Sequence, residues 1–599
     1  MKYPTLNSEA SSRDMLSTFR GYNHTLTVGS GEFYDMQNLT SDYYPILSPR
    51  KKRGTLIAAD GDNINGMISK DALCYVKGTK LYINQSEVSG LTLEDSEKQL
   101  VSMGAYLIIF PDKKWINTKD LTDYGSIDAE FVTTTTVTYS MCNVDGEAYS
   151  DATISNSEPS NPTNLDYWID TSTTPHTLKQ YSDSSSIWIA VPTTYIKISA
   201  HDIAVNFSQY DGVTLTGLDS ANIPQLADLE GQTSILYQVY HDPGSTEAPT
   251  RPEGTDDYIV VVGFLDTVGT QDTSIIVSRK SPDMDFVIES ENRLWGCKYG
   301  ISDGKVLNEI YACKLGDFKN WNCFMGIASD SYAASCGTDG AFTGAISYLG
   351  YPLFFKETCL HKVYGNYPSN YQIQTTTCRG VRKGSGKSLA IVNEVLYYKS
   401  RNGVCAYDGS LPTEMSVPFG DEQYADSVAG GNRGKYYISM KNGAGGYDFF
   451  VYDAAKGLWH KEDTAVTEIK FFCSHDGEMY YSNGATIKCV NGSAGGCTQD
   501  SADVEWMALT GNIGTDYPDK KWITRLTIRL SVQGTVSFYA FYDGVDARER
   551  LATVTGTNER IFALPVRPKR CDHFQLQIEG TGNAKIYSIT KTMETGSDV

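Results

Sequence analysis

Long apolar runs are missing from this sequence, and none approaches the roughly 20 residues that a membrane-spanning helix needs. The opening stretch MKYPTLNSEASSRDMLSTF has no apolar core of a secretory signal. The 13 cysteines are scattered and include no CxxC pair, so we expect neither a disulfide framework nor a cysteine-based zinc site. These absences predict a protein that folds in a reducing cytosol and has no membrane span.

Motifs of catalysis and of metal binding are missing as well. No two of the eight histidines are spaced i, i+4, and there is no HExxH. No serine stands in a G-x-S-x-G elbow before a helix. The carboxylates at 283–291 read as a solvated acidic loop, because paired catalytic acids need a fixed separation across a cleft. The sequence predicts that the chain is not an enzyme, and no residue is assigned to catalysis, to a cofactor or to a metal.

Basic residues are outnumbered, with 51 Lys and Arg against 72 Asp and Glu and a net charge of −21. Such a balance argues against a protein that grips nucleic acid through its phosphates. The negative charge is equally compatible with a surface that aids solubility and with a wall past which nucleic acid slides. RKKRG (50–54) is a dense cluster of cations in this acidic protein. This cluster fits a nucleic-acid contact, a docking site for an acidic partner or a solvated turn, and the last two are favoured.

The segment GVRKGSGKS (380–388) suggests a phosphate-binding loop but has the wrong spacing. A P-loop would need glycine at position 381, where Val381 stands, and Gly380 is one residue too early. The residues that follow, LAIVNEVLYYKS, favour a β-hairpin around Asn393 and Glu394 instead of a helix. We therefore expect a flexible loop between two strands of a repeat, with Lys387 facing water or a neighbouring subunit.

An internal repeat is the strongest positive signal. Each copy has a strand of aliphatic and Tyr residues, a Gly or Asn turn, and a second strand that often ends in Tyr-Asp. Steps of 43, 40 and 43 residues separate Leu353, Leu396, Tyr436 and Met479. A period near 40 with several strands per copy predicts a β-propeller of about seven blades, and the rival interpretation is a string of separate β-sandwiches. The copies are 73–83, 105–116, 293–298 with 309–321, 351–365, 394–410, 435–440 with 448–463, and 478–490.

The predicted fold class is all-β: a degenerate β-propeller of about seven blades with an inserted β-domain and a C-terminal, jelly-roll-like β-sandwich. The sandwich is predicted from about six short strands, such as ITRLTIRLSV, where Leu526, Ile528 and Leu530 alternate with polar residues. Helix is scarce, and TLEDSEKQLVSM (92–103) is the best candidate. The predicted domains are 1–129 (N-terminal segment and first blades), 130–285 (inserted domain), 286–502 (remaining blades) and 503–599 (sandwich).

The stretch FRGYNHTLTVGSGEFYDMQNLTSDYYPILSPRKKRG (19–54) carries a resemblance to a known family. Its order of Gly-x-Asn, Gly-Glu-x-x-Asp-x-x-Asn-Leu and Tyr-Pro-x-Leu-x-x-Arg resembles the opening of tail proteins in bacteriophages and prophages of gut Firmicutes. Residues 291–300, 330–365 and 574–590 are similar to later parts of the same proteins. The resemblance covers most of the chain outside the predicted insert.

The resemblance implies a propeller-containing tail hub or nozzle protein of short-tailed phages, sometimes described as a DNA-stabilisation protein. Such virion proteins are often six-fold and plug or line the exit path of the genome. The chain would then be a structural protein of the virion tail, assembled in the host cytoplasm as a homo-oligomeric ring such as a hexamer. Its partners would be other tail and portal-adaptor proteins, with DNA passing transiently and without specific binding.

The alternative is a receptor- or glycan-binding tail protein that acts in host adsorption. Aromatic side chains can stack on sugars, and Tyr407, Tyr452 and Trp459 are the candidates. The same residue types fill the interfaces between blades, and a core position is the favoured interpretation for all of them.

Overall fold

The computed structural model describes residues 11–149, 151–245, 250–302, 304–515 and 522–594. Residues 1–10, on which part of the signal-peptide prediction rests, lie outside this set. Strands dominate, and the described residues contain no α-helix and four 3-10 helices. No helix found among them has the length and apolarity needed to cross a membrane. The chain divides into two compact units, described separately below: unit 1 (1–100, 340–362 and 374–599) and unit 2 (101–339 and 363–373).

Short strands follow one another along the first half of the chain. Before the first repeat lie β1 (Ser11–Leu16), β2 (Gly21–Tyr22), β3 (Glu32–Gln37), β4 (Leu39–Thr40), β5 (Ser48–Pro49) and β6 (Gly54–Ile57). Blade 1 comprises β7 (Ile64–Lys70), β8 (Ala72–Lys77), β9 (Lys80–Ile83) and β10 (Ser86–Glu87), and blade 2 comprises β11 (Gln99–Met103), β12 (Tyr106–Phe110), β13 (Lys114–Asn117) and β14 (Asp120–Ser126). The inserted domain contains β15 (Ala129–Val132), β16 (Val137–Cys142), β17 (Thr153–Ser155), β18 (Tyr167–Asp170), β19 (Thr177–Ser182), β20 (Ile187–Ala190), β21 (Tyr195–Ser199), β22 (Gly212–Thr216), a 3-10 helix (Pro224–Asp228), β23 (Thr233–Ile235), β24 (Gln238–Tyr240), β25 (Tyr258–Val262), β26 (Gly269–Gln271) and β27 (Ile276–Arg279).

The second half resumes the repeat and ends in much longer strands. Blade 3 comprises β28 (Phe286–Ser290), β29 (Arg293–Ser302), β30 (Lys305–Ala312) and β31 (Tyr332–Ser335), and blade 4 comprises β32 (Gly344–Tyr348), β33 (Tyr351–Lys356), β34 (Cys359–Tyr364) and β35 (Gln372–Thr377). Blade 5 comprises β36 (Ala390–Val392), β37 (Val395–Lys399), β38 (Val404–Tyr407) and β39 (Thr413–Glu414), and blade 6 comprises β40 (Ser427–Asn432), β41 (Lys435–Lys441), β42 (Tyr447–Asp453) and β43 (Leu458–Val466). Blade 7 contains β44 (Phe471–His475), β45 (Glu478–Ser482), β46 (Ile487–Cys489) and β47 (Thr498–Gln499), followed by β48 (Glu505–Thr510), β49 (Trp522–Tyr542), β50 (Glu549–Val566) and β51 (Phe574–Glu594). The remaining 3-10 helices are Pro368–Asn370, Gly386–Ser388 and Val417–Phe419.

Each of the seven predicted repeats lies on neighbouring strands of one small antiparallel sheet. Inner strands such as β12 and β33 are buried almost without interruption, because both faces of each sheet are covered. A strand buried on both faces reads as a continuous run of aliphatic and aromatic residues. Four-stranded sheets of this kind are the blades of a β-propeller, and the predicted all-β propeller class is confirmed.

In unit 1, consecutive blades pack face to face through aromatic side chains. The rings of Phe355 in blade 4 and Tyr398 in blade 5 lie 5.1 Å apart, and those of Tyr397 in blade 5 and Tyr436 in blade 6 lie 5.3 Å apart. Further apolar clusters join blade 6 to blade 7 and blade 7 to blade 1. Each blade covers an apolar face of its neighbour that would otherwise be exposed. These interfaces explain why each repeat is rich in tyrosine.

In unit 2, blades 2 and 3 share a core that includes Trp115 and Phe318, whose rings lie 5.8 Å apart. The inserted domain has its own core beneath sheets of four, five and four strands, ordered β15-β27-β22-β23, β24-β25-β21-β16-β26 and β17-β18-β19-β20. The insertion of a β-domain is therefore confirmed. The predicted boundaries at 129, 285 and 502 stay predictions, and the two compact units are a coarser division of the chain.

The segment at 92–103 is not a helix, and that prediction is wrong. Val101 and Met103 are buried on β11, two residues apart, as are Leu91 and Leu93 in the preceding loop. A spacing of two places both members of a pair on the same side of an extended chain. Hydrogen bonding to a neighbouring strand therefore decides the structure against the local helix propensity.

An N-terminal strand completes the last blade. Strand β6 pairs with β46, where Ile57 is opposite Ile487 and Gly54 is opposite Cys489, and it also pairs with β47. The fourth strand of blade 7 therefore comes from the beginning of the chain. This pairing holds unit 1 together with backbone hydrogen bonds in addition to side-chain packing.

The last four strands, β48 to β51, form one continuous seven-stranded sheet with the first three strands of the chain. The order is β2-β3-β48-β51-β49-β50, and β1 also pairs with β51. The prediction of about six short strands in 503–599 is wrong, since the described residues 503–515 and 522–594 contain four strands, three of which have 18 to 21 residues. The predicted strands ITRLTIRLSV and TVSFYAFYDG are both parts of β49.

This sheet folds over a row of glycines, so the sandwich has two leaves made by the same strands. Gly534 is paired with both Gly556 and Gly582. Leu526 and Leu576 line one cavity of 240 Å³, although the partner of Leu576 on β49 is Ala540. In a straight strand, Leu526 and Ala540 would be about 46 Å apart. The bend encloses the apolar side chains of both leaves in one core.

Candidate functional site

The residues that carry the resemblance lie in a segment that we call the N-terminal clasp (residues 19–54). Gly21 has a φ of +90°, and a Cβ there would lie 2.4 Å from the carbonyl oxygen of Trp459 on β43. Asn38 donates to the carbonyl of Glu505 at 2.7 Å and accepts from Arg50 Nε at 2.7 Å. The glycine, asparagine and arginine of the motif thus serve close packing and hydrogen bonding.

Charged residues fasten the clasp to β43. Arg50 forms an ion pair of 2.7 Å with Asp463, and Arg53 lies 2.6 Å from Glu462. Arg53 and Glu462 are 5% and 3% exposed, so this pair is buried. Burial alone would lower the pKa of Arg53, but the carboxylates of Glu462 and Asp463 outweigh it and raise that pKa further above its usual value.

The basic cluster RKKRG is therefore largely consumed by internal pairs. Besides Arg50 and Arg53, Lys52 forms an ion pair of 2.8 Å with Asp503. Lys51 is exposed and makes no ion pair with any residue that the structure describes. Arg50, Lys52 and Arg53 are thus engaged in ion pairs, and Lys51 has the one ammonium group of this cluster without a carboxylate partner among the described residues. The cluster does not form a continuous basic patch.

Lys51 lines three cavities of 340, 260 and 400 Å³, which we call together the Lys51 groove. The groove lies within unit 1, where the clasp passes from the C-terminal sheet to blade 7. Gln533 and Asn583 line two of the cavities, and Asn491 also lines two. These carboxamides offer both donors and acceptors beside the free lysine.

The charges around the first cavity are arranged in pairs. Lys435 lies 2.5 Å from Asp42, and Lys456 lies 2.9 Å from Asp453. Burial alone would raise the pKa of Asp42, but Lys435 more than offsets this effect, and the pKa is lowered. Since the other charges of this cavity are arranged in pairs, Lys51 adds a positive charge to the groove, as Lys585 does in the second cavity.

The segment GVRKGSGKS forms the connection between blades 4 and 5, and its predicted hairpin is present. Strands β36 and β37 are joined by Asn393 and Glu394, both with positive φ. The prediction that Lys387 faces water or a neighbouring subunit stays a prediction, because its side chain is 37% exposed. Its ammonium group lies 2.9 Å from Glu97 and 4.0 Å from the centre of the Phe471 ring. An acidic partner and an aromatic face hold the lysine within unit 1.

The aromatic candidates for sugar stacking are core residues, as favoured from the sequence. Tyr407, Tyr452 and Trp459 are 4%, 7% and 3% exposed. In the acidic loop, Asp283 lies 3.4 Å from Lys113 and Asp285 lies 3.0 Å from Lys298. Those two carboxylates are engaged in separate ion pairs.

One group of side chains that could hold a metal was missed by the sequence analysis. Asp202, His241 and Asp257 in the inserted domain place one ligand atom each within 4.8 Å of one another. The available signal was a repeated His-Asp dipeptide, at 201–202 and at 241–242. Neither dipeptide has the spacing of a known metal motif, because the ligands come from three different strand ends.

Comparison with known proteins gives no family model and no curated protein that matches this chain. Solved structures do match. Sqt1 of Saccharomyces cerevisiae is 9% identical at a TM-score of 0.30, with 75% of this chain and 99% of that chain covered. An exo-β-1,3-galactanase of Phanerochaete chrysosporium is 8% identical at a TM-score of 0.20, with coverages of 51% and 94%. A family 43 arabinoxylan arabinofuranohydrolase of Bacillus subtilis is 9% identical at 0.18, with coverages of 52% and 94%.

These matches correct the prediction that the chain is not an enzyme. Glycoside hydrolases of family 43 recur among the similar structures, and the exclusion of enzymatic activity is withdrawn for that reason. At identities of 8–12% and TM-scores of 0.17–0.30, the similarity brings no substrate and no catalytic residue to this chain.

Proposed function

We propose that this chain is a structural component of a bacteriophage tail, a hub- or nozzle-like protein that assembles into a homo-oligomeric ring in the virion. The ring would line or close the genome exit channel and would contact other tail or portal-adaptor proteins. The net charge of −21 would keep passing DNA from adhering to the wall.

The observation that carries the proposal is the structural role of the motif residues. The residues of the N-terminal clasp that resemble tail proteins pack against β43 and β48 through Gly21, Asn38 and Arg50. Strand β6 then enters blade 7. A motif that fastens blades 6 and 7 to the C-terminal sheet suits a rigid building block of a larger assembly.

A strand at the edge of the inserted domain offers a surface for contact between copies. Strand β20 has the sequence IWIA and is paired, among the described strands, with β19 alone. Ile187 and Ile189 are 55% and 50% exposed. The ring of Trp188 between them lies 5.5 Å from that of Trp168, which holds the strand in place. An exposed apolar edge strand is suited to pairing with another chain.

The proposal is tested by assembly. The purified chain, alone and mixed with the other tail proteins of the same phage, is analysed by mass photometry and by negative-stain electron microscopy. We expect closed rings of one copy number. If both samples contain monomers only, the tail-ring function is wrong.

Replacing both Ile187 and Ile189 by Asp is expected to weaken ring assembly at least ~10-fold, because charges would be placed in an apolar contact between copies. The measurement is the concentration at which half of the protein is assembled. Ile301→Asp is the matched control, since Ile301 is 75% exposed on the hairpin of β29 and β30. An assembly that tolerates the double change but not the control would place the contact elsewhere.

A second candidate function is recognition of an anionic glycan on the host surface, and the Lys51 groove favours it. The free ammonium group of Lys51 lies among carboxamides, and Lys585 lies over the ring of Tyr43 at 5.0 Å from its centre. Cations, amides and an aromatic ring beside one another can bind a sugar that carries a carboxylate, sulfate or phosphate.

Lys51→Ala is expected to reduce retention on an array of anionic glycans by about 10-fold, which corresponds to the loss of one charge-assisted hydrogen bond. Lys305→Ala, at an exposed lysine of β30, is the control and should bind as the unchanged chain does. Equal binding by all three proteins, or binding by none of them, would remove the glycan-recognition candidate.

A further inference from the structure

Three neighbouring strands of the five-stranded sheet in the inserted domain have their ends close together. Tyr258 on β25 is opposite Tyr240 on β24 and opposite Ser199 on β21. His241 and Asp257 are the next residues along their strands, and Asp202 follows β21 in a turn. The register of this sheet therefore brings one imidazole and two carboxylates together.

The side chains in this cluster already contact one another. His241 Nδ1 lies 2.9 Å from Asp257 Oδ2, and His241 Nε2 lies 3.1 Å from Glu253 Oε1. Hydrogen bonds to Asp257 and then to Glu253 raise the pKa of His241 above its ordinary value. Asp257 is fully buried, and its other oxygen accepts from the backbone amide of Asp242 at 2.5 Å.

The backbone is shaped to admit the third carboxylate. Gly254 has a φ of +75°, and a Cβ at this position would lie 1.7 Å from Asp202 Oδ1. The carbonyl of Gly254 accepts from the amide of Asp202 at 3.1 Å. Only glycine leaves space for Asp202 to lie against this turn.

The surroundings carry an excess of negative charge. Asp242 is 1% exposed, and its Oδ1 accepts from Arg251 at 2.7 Å. Its Oδ2 is buried and accepts no hydrogen bond in the part of the chain that the structure describes. A buried carboxylate oxygen without a donor is costly, so Asp242 adds to the negative charge of the surroundings, although it is not one of the three metal-capable residues. The carboxylates are those of Asp202, Asp242, Glu253, Asp256 and Asp257, against one arginine, Arg251, and a second histidine, His201, whose Nδ1 lies 3.0 Å from Asp202.

We propose that Asp202, His241 and Asp257 bind one Zn²⁺ ion. Nδ1 of His241 and one carboxylate oxygen from each aspartate are the protein ligands, a water molecule would take the fourth tetrahedral position, and Glu253 accepts the Nε2 proton of His241. Ligands 2.0–2.1 Å from a tetrahedral ion lie about 3.3 Å apart, within the range between the 2.9 Å contact and the 4.8 Å limit of this cluster. An imidazole ligand favours zinc over calcium or magnesium. A carboxylate on the far nitrogen of a ligating histidine is a common second partner in zinc sites.

The proposal is tested on the full chain after treatment with a chelator. Zn²⁺ is titrated by calorimetry, and bound metal is counted by elemental analysis. We expect one ion per chain at this site, weakened by about 10–100-fold in Glu253→Gln and more strongly in His241→Gln and Asp202→Asn. Asp256→Asn, whose carboxylate is 57% exposed and pairs with Arg251, should bind Zn²⁺ as the unchanged chain does.

Two further measurements keep the test decisive. Circular dichroism verifies that each variant is folded, and Asp202→Asn replaces a partly exposed side chain if His241→Gln fails to fold. Visible absorption of Co²⁺ in the same site reports a four-coordinate ion and should be lost in Asp202→Asn. Zn²⁺ binding that is unchanged in the Asp202 and His241 variants would overturn the proposal, as would tighter binding of Ca²⁺ than of Zn²⁺.

Discussion

Arg53→Ala is expected to destabilise unit 1 by about 3–5 kcal/mol, because it leaves the buried carboxylate of Glu462 without its partner. Arg53 also lies over the rings of Phe449 and Tyr481, at 5.3 and 5.9 Å from their centres, and this packing is lost with it. Thermal melting followed by circular dichroism should show a midpoint lowered on the order of 10 °C.

Two control variants separate the charge effect from the packing effect. Lys52→Ala removes the neighbouring cation, whose partner Asp503 is 61% exposed, and should cost under ~1 kcal/mol. The double variant Arg53→Met with Glu462→Leu removes both charges and should regain most of the lost stability, since a buried ion pair can be replaced by apolar side chains. Equal effects of Arg53→Ala and Lys52→Ala would contradict the buried clasp.

Gly534→Ala is the second change with a large expected effect. A Cβ at this position would lie 2.1 Å from the carbonyl oxygen of Thr581, and the φ of +135° is unfavourable for any other residue. The row of paired glycines cannot move apart without breaking hydrogen bonds of the bent sheet. We expect a cost above about 4 kcal/mol, poor soluble yield and rapid proteolysis of the C-terminal region.

Gly544→Ala is the matched control for the bend. Gly544 also has a positive φ, of +73°, but a Cβ there would meet no atom within 4 Å. Its cost should remain near 1 kcal/mol, the ordinary penalty of an unfavourable backbone conformation. If both alanine variants melt at the same temperature, the close approach at Gly534 is not what shapes the sandwich.

The blades were predictable because a strand that is buried on both faces leaves a local signature. The run around Leu396 to Tyr398 shows it, and so does the Asn393-Glu394 turn before it. The glycine at the bend was misleading. Local reasoning interprets Gly534 as the end of a strand, but the alternation of buried residues continues across it, from Leu526 to Phe538, in one strand.

Long-range pairing left no local trace. The sequence GTLI of β6 is compatible with many partners, and nothing in it specifies Ile487 as the residue opposite Ile57. The cluster of Asp202, His241 and Asp257 was missed for the same reason, because it depends on long-range strand pairing. Asp202 and His241 are separated by three strands and a 3-10 helix, and only the register of the sheet brings them together.

The pairing of β6 with β46 can form only late in the synthesis of the chain. Ile57 leaves the ribosome about 430 residues before Ile487, which at 5–20 residues per second is a delay of roughly 20–90 s. During that interval the unpaired amides and carbonyls of β6 are free to pair with the edge strand of another nascent chain. A cell making many copies at once therefore gains from a chaperone that covers this segment until the last blade emerges.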